Sequence, residues 1–166
     1  MPQKAIPTEP TQANIARVVD LLADTPQKLA QWLQPLSPEP LRQPLGPEER
    51  SCAEVLAHLV NSEARSAEAI YLALLADEPV VVTVHPERQW GKLLRYDLLD
   101  FADLLAYFQL RRTVLLRVLT SLTEAQWART IREEGKKRQE SVYWRARALA
   151  LHELEHLTEL ASKLNP

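Results

Sequence analysis

The stretch SCAEVLAHLVNSEARSAEAIYLALLA, residues 51–76, decides how the chain is read. Ser51 followed three residues later by Glu54 is a capping-box pattern, in which each side chain satisfies a backbone N–H left unpaired at a helix start. Behind it Val55, His58, Leu59, Ser62, Ser66, Ala69, Ile70 and Ala73 recur every three or four residues, which is one face of an α-helix. A histidine stands in the middle of that core-facing stripe, and its small neighbours Ser62, Ser66, Ala69 and Ala73 imply either close helix packing or a cavity beside it.

Working outward, the same periodicity predicts three more long helices. The first covers about Thr11 to Trp32, with a bend or restart at DTPQK, where Thr25 can cap and Pro26 can take the first helical position. Prolines 35, 38, 40, 44 and 47 then break the chain before Ser51. A linker of roughly twenty residues follows the second helix, long for a connection inside a compact domain and long enough to cross a bundle. It contains VVVTV and HPERQW, with His85 expected to be exposed. The third helix runs from about Asp100 to Leu122, placing Phe101, Leu104, Leu105, Phe108, Arg112, Leu115, Leu116 and Leu119 on one face. Thr123 and Gln126 form a second capping-box pattern ahead of a short helix ending at Trp127. REEGKKRQE reads as a loop around Gly135, and the fourth long helix spans about Ser141 to Lys163. The fold class is therefore all-α, a four-helix bundle in one domain over residues 11–166, with residues 1–10 expected to be disordered.

Composition narrows the function. A formal net charge of −2 and a pI near 6.1 offer no basic field for a nucleic-acid backbone. No run approaches the ~18 apolar residues that a membrane span needs, so the expectation is a cytoplasmic protein without a membrane partner. Cys52 is the single cysteine and has no internal disulfide partner, which leaves histidine and carboxylate as the metal-ligating side chains.

The fourth helix carries His152-Glu153-Leu154-Glu155-His156, the H-E-x-x-H string of zinc metalloproteases. Four residues turn a helix by 400°, so the two imidazoles share a face about 6 Å apart along the axis and can converge on one ion. A protease of that type takes a third ligand well downstream and needs a sheet to align its peptide. Only ten residues follow His156, with Glu159 the sole acid among them, and the sequence contains no convincing sheet. The remaining source is His58, which falls at a similar height if the second and fourth helices run antiparallel. His58, His152 and His156 are thus the candidate metal ligands, a set that suits zinc, nickel, iron or copper and leaves a coordination position for water or substrate.

Other residues have two readings. Arg112 interrupts an apolar stripe, and a buried guanidinium needs either a core carboxylate or an anionic substrate group. Glu153, Glu155 and Glu159 form a solvated face, or one of them orients a ligand imidazole or serves as a general base. Arg112 and Glu153 are the candidate catalytic residues, with Asn61 and Glu63 as weaker candidates beside the ligands.

These residues together resemble the DinB-like (DinB/YfiT-like metalloenzyme) superfamily. The resemblance is carried by LLADTPQKLAQWL, SPEPLRQPLGPEERSCAEVLAHLVNSEA, FQLRRTVLLRVLTSLTEAQWART and LALHELEHLTEL, in that order. It implies an up-down-down-up bundle whose long crossover joins helices two and three, with His58, His152 and His156 as ligands. It also implies small-molecule chemistry, either thiol-dependent transfer or isomerisation with a low-molecular-weight thiol cosubstrate, or metal-assisted hydrolysis. The alternative is a non-catalytic, stress-related metal-binding bundle. A homodimer is implied as well, with Trp32, Trp90, Trp127 and Trp144 as aromatics available for an interface. One departure is visible: members commonly carry Trp before the capping-box serine, where this chain has Arg50.

Overall fold

The computed structural model describes residues 6–81 and 87–164. Among the described residues the order is α1 (Gln12–Leu33), α2 (Pro38–Arg42), α3 (Cys52–Leu75), β1 (Val80–Val81), α4 (Glu87–Leu94), a 3₁₀ turn (Tyr96–Leu98), α5 (Phe101–Leu119), α6 (Glu124–Trp127), β2 (Thr130–Glu133), β3 (Gln139–Ser141) and α7 (Val142–Leu164). Helices α1, α3, α5 and α7 form the bundle. Both capping boxes read from the sequence form, Ser51 with Glu54 at α3 and Thr123 with Gln126 at α6, and the structure adds caps at Thr11, which accepts from the Asn14 N–H, and at Asp100, which accepts from the Ala102 N–H.

The apolar faces meet in two clusters, and their membership fixes the directions of the helices. One joins Val18 and Leu22 of α1 to Ile70 and Ala73 of α3, Leu115 and Leu119 of α5, and Val142 and Ala146 of α7. The other joins Leu29 and Leu33 to Leu56 and Leu59, Leu104 and Phe108, and Leu157 and Leu160. The early half of α1 therefore lies level with the late halves of α3 and α5 and the early half of α7. That is an up-down-down-up bundle, in which α3 and α7 are antiparallel neighbours. No helix among the described residues is long and apolar enough to cross a membrane.

Three expectations are corrected. Helix α1 runs unbroken through Pro26. Proline lacks the N–H that would bond the Leu22 carbonyl four residues earlier, and Arg112 Nη1 donates to that carbonyl instead. Thr25 does not start a helix; its hydroxyl donates back to Leu21 O at 3.0 Å. The polar stretch around Gly135 is a hairpin, with Ile131 opposite Glu140, and β1 adds in parallel to give a three-stranded sheet. Its strands are two to four residues long, too short for alternation to register, and Gly135 supplies the positive φ of 76° at the turn. The crossover carries β1, α4 and the 3₁₀ turn rather than bare linker, with α4 lying against α3. Its residues 82–86, including His85, lie outside the described set.

Two devices hold the periphery. Arg129 donates to Ala73 O and Ala76 O, satisfying terminal carbonyls of α3 and tying the hairpin to that helix. Ile6 is buried in the first cluster, while Pro7 O accepts from Tyr143 at 2.7 Å and Ile6 O from Arg147 at 2.9 Å.

Candidate metal centre

Helix α3 brings His58, and α7 brings His152 and His156, to one point between the two helices. The His58 and His152 Nε2 atoms are 3.0 Å apart, and those of His152 and His156 are 3.2 Å apart. The rings stand edge to face, with interplanar angles of 69°, 81° and 90°. A ring nitrogen carries one lone pair or one hydrogen, so His152 Nε2 cannot bond both neighbours at once. A cation shared by three lone pairs resolves that conflict. Metal–nitrogen bonds of ~2.0–2.1 Å separate adjacent ligand nitrogens by roughly 3.0 Å at a 90° angle and about 3.4 Å in a tetrahedron. The observed spacing falls in that range, and the donor set fits a divalent ion. His156 Nδ1 lies 3.0 Å from Glu159 Oε2, a contact that keeps the proton on Nδ1 and turns the Nε2 lone pair inward.

The three imidazoles are partly buried and each reaches a different cavity. His58 lines a cleft of about 770 Å³ together with Arg50, Asn61, Lys92, Tyr96 and Asp97. His156 opens on one of about 500 Å³ with Glu48, Arg50, Glu159 and Lys163. His152 opens on a smaller one of about 260 Å³, with Ser62, Ser66, Trp144 and Arg145. The small-residue stripe of α3 thus divides: Ser62 and Ser66 border a cavity, whereas Ala69 and Ala73 are packed in the core. Sequence reasoning missed Arg50, Lys92 and Arg95 as cations lining the His58 cleft. Only the departure at Arg50 pointed there.

Arg112 and Glu153 are brought together, but away from the cavities. Their side chains are 1 % and 0 % exposed, and Arg112 Nη1 donates to Glu153 Oε2 at 3.0 Å. Arg112 Nε donates to Glu63 Oε2 at 3.0 Å, and Arg111 faces the other oxygen of Glu63 at 3.3 Å. The core-carboxylate alternative for Arg112 is the one observed. Burial pushes both carboxyls above their ordinary range, against the lowering effect of Arg112. Burial also works to lower Arg112, but the fields of Glu153 and Glu63 outweigh it and keep the guanidinium charged. Of the three α7 glutamates, only Glu155 and Glu159 lie on the exposed face.

Residues 21–160 match the sequence profile of the DinB superfamily. The structure resembles that of YfiT from Bacillus subtilis, described as a probable metal-dependent hydrolase with an unusual four-helix bundle topology. The TM-score is 0.82 at 21 % identity, over 94 % of this chain and 90 % of that one. No curated protein matches the chain.

Proposed function

We propose that this chain, which belongs to the DinB superfamily, is a metal-dependent enzyme acting on a small molecule, with His58, His152 and His156 as the ligands. The observation that carries the reading is the convergence of three imidazole nitrogens, all within 4.8 Å of one another and with His152 at 3.0 and 3.2 Å from its two neighbours, beside open cavities. A divalent ion held there supplies Lewis acidity and lowers the pKa of a water or thiol that reaches it. The protein's own contribution is to leave the ion accessible from the His58 cleft, whose lining mixes Arg50, Lys92 and Arg95 with Glu54 and Asp97. That mixture suits a small polar molecule bearing charges of both signs, such as a thiol with amino and carboxylate groups.

Glu153 argues against the peptidase reading of H-E-x-x-H. In that chemistry the glutamate must reach the reacting water as a general base. Here it is fully buried and bonded to Arg112. We assign Arg112 and Glu153 to holding the bundle rather than to contact with substrate. Between the remaining chemistries we favour activation of a thiol cosubstrate over hydrolysis, on the strength of the mixed-charge cleft.

Metal analysis of the purified protein and of His58→Ala tests the site. About one zinc, nickel or iron per wild-type chain and a roughly hundredfold weaker affinity in the variant are expected, and full retention by the variant sinks the assignment. A panel of small thiols with a generic electrophile, run beside casein, tests the reaction. Metal-dependent casein cleavage without thiol acceleration overturns it, and silence in both assays favours the non-catalytic bundle.

The second copy expected in a homodimer has a candidate surface. Trp127 is buried and Trp144 stacks with Arg138, so of the four tryptophans only Trp90 is exposed on the bundle exterior. Leu93 on α4, Leu98 on the 3₁₀ turn, and Leu110 and Val114 on α5 are likewise exposed apolar side chains. Light scattering that shows a monomer for the wild type rejects this assembly.

A further inference from the structure

We infer that Arg112 is a positioning residue for the three-histidine centre, locking α3 and α7 into the register at which His58 meets His152 and His156. The inference rests on the metal-binding reading given above and extends it to residues that touch no ligand.

Arg112 contacts all three other bundle helices. Its guanidinium bonds Glu63 on α3, Glu153 on α7 and the Leu22 carbonyl on α1. The carbonyl is available because Pro26 leaves it without its helical donor. Helices α3 and α7 are neighbours, but α5 and α7 face each other across the bundle diagonal, so the arginine supplies a tie that side-by-side packing does not. Both anchors sit close to ligands in sequence. Glu153 directly follows His152, and Glu63 stands five residues after His58. An axial displacement of one residue amounts to about 1.5 Å, whereas metal–ligand distances tolerate only ~0.2 Å.

Stability alone does not account for the cluster. Desolvating these charges offsets most of their attraction, and well-packed apolar side chains of similar volume commonly stabilise a core as much. Ridge-and-groove packing of leucines, by contrast, permits small slides between helices. A planar guanidinium with fixed donor directions does not. What the cluster adds is register, and register is what three ligands on two helices require.

The test measures zinc affinity by competition with a chromophoric chelator, together with the visible spectrum of the cobalt-loaded protein. Arg112→Met removes the tie. Glu63→Met keeps the volume, leaves the Arg112–Glu153 pair intact and cuts the α3 arm together with the Arg111 contact to the same carboxylate, so it decides the matter if Arg112→Met does not fold. Leu119→Ala, two turns along α5 in the other apolar cluster, is the control for lost stability. We expect zinc binding to weaken roughly tenfold to a hundredfold in the two methionine variants, as for other residues that orient ligands, with a shifted cobalt spectrum. Leu119→Ala should lower the melting temperature and leave affinity and spectrum unchanged. Wild-type affinity in folded Glu63→Met or Arg112→Met, or an equal loss in Leu119→Ala, overturns the inference alone. A wild type that takes up no zinc or cobalt overturns the metal reading and the inference with it.

Discussion

Two polar clusters share the middle of α7, and they are completed in opposite ways. The Glu63–Arg112–Glu153 cluster is sealed: its charges oppose one another, and the guanidinium finds its acceptors within the protein. The histidine cluster points like atoms at one another and borders open space on three sides. A buried polar group that is satisfied internally maintains a structure, whereas three imidazoles converging beside open cavities have the form of a ligand set. One helix serves both purposes because Glu153 lies about 60° around it from His156 and faces the bundle centre.

The sharpest way to break this contrast is to truncate each cluster in turn. Glu153→Ala leaves part of Arg112 buried without its partner and should cost roughly 3–5 kcal/mol in chemical denaturation. His156→Ala should cost less than about 1 kcal/mol in the metal-free protein yet abolish tight metal uptake. Equal destabilisation by the two would erase the distinction. Acid should separate the clusters as well. Only neutral imidazole ligates, so metal occupancy should fall on acidification. Occupancy that stays flat to about pH 5 would count against histidine ligation.

A smaller effect tests how the sealed cluster was assembled. Pro26→Ala restores an N–H opposite the Leu22 carbonyl and should stabilise the protein by about 1 kcal/mol. In an Arg112→Met background, where that carbonyl has lost its donor, the gain should grow by on the order of another 1 kcal/mol. Additive effects in the double-mutant cycle would show that the two positions do not communicate.

The smallest effect lies outside both clusters. Lys136 and then Arg145 hold the Glu133 carboxyl down from 4.5 to about 2 despite its burial. Its ionised form therefore stabilises the fold above the ordinary value, and that contribution is lost as pH falls through about 2. Glu133→Gln should melt slightly lower than wild type at pH 7, by about 1 kcal/mol or less, and the gap should close between pH 4.5 and 2. A gap that persists into strong acid would assign the loss to packing.

The histidine centre was legible in the sequence because it depends on counting. Helix geometry fixes the faces of His58, His152 and His156 once the helices and their relative directions are known. The bundle was legible for the same reason, through capping residues and apolar spacing. Glu153 was harder, since three glutamates in seven residues look alike until neighbouring helices show which one meets a cation. Pro26 was misread because a proline normally ends a helix, and what rescues the exposed carbonyl arrives from residue 112. The hairpin and crossover escaped because strands of two to four residues and an eight-residue helix carry too few periods to stand above chance.

The placement of α1 beside α7 has a consequence for how the protein is made. These two helices are packed against each other, yet more than a hundred residues separate Leu33 from Val142. At synthesis rates of about 5–20 residues per second, α1 waits on the order of ten seconds for its partner. His58 waits almost as long for His152 and His156, so the three imidazoles cannot meet while the first half of the chain is alone. During that interval Val18, Leu22 and Leu29, all fully buried in the finished bundle, have no α7 to cover them. Newly made chains should therefore depend on chaperones that shield apolar helix faces, more than a bundle whose successive helices pair as they emerge.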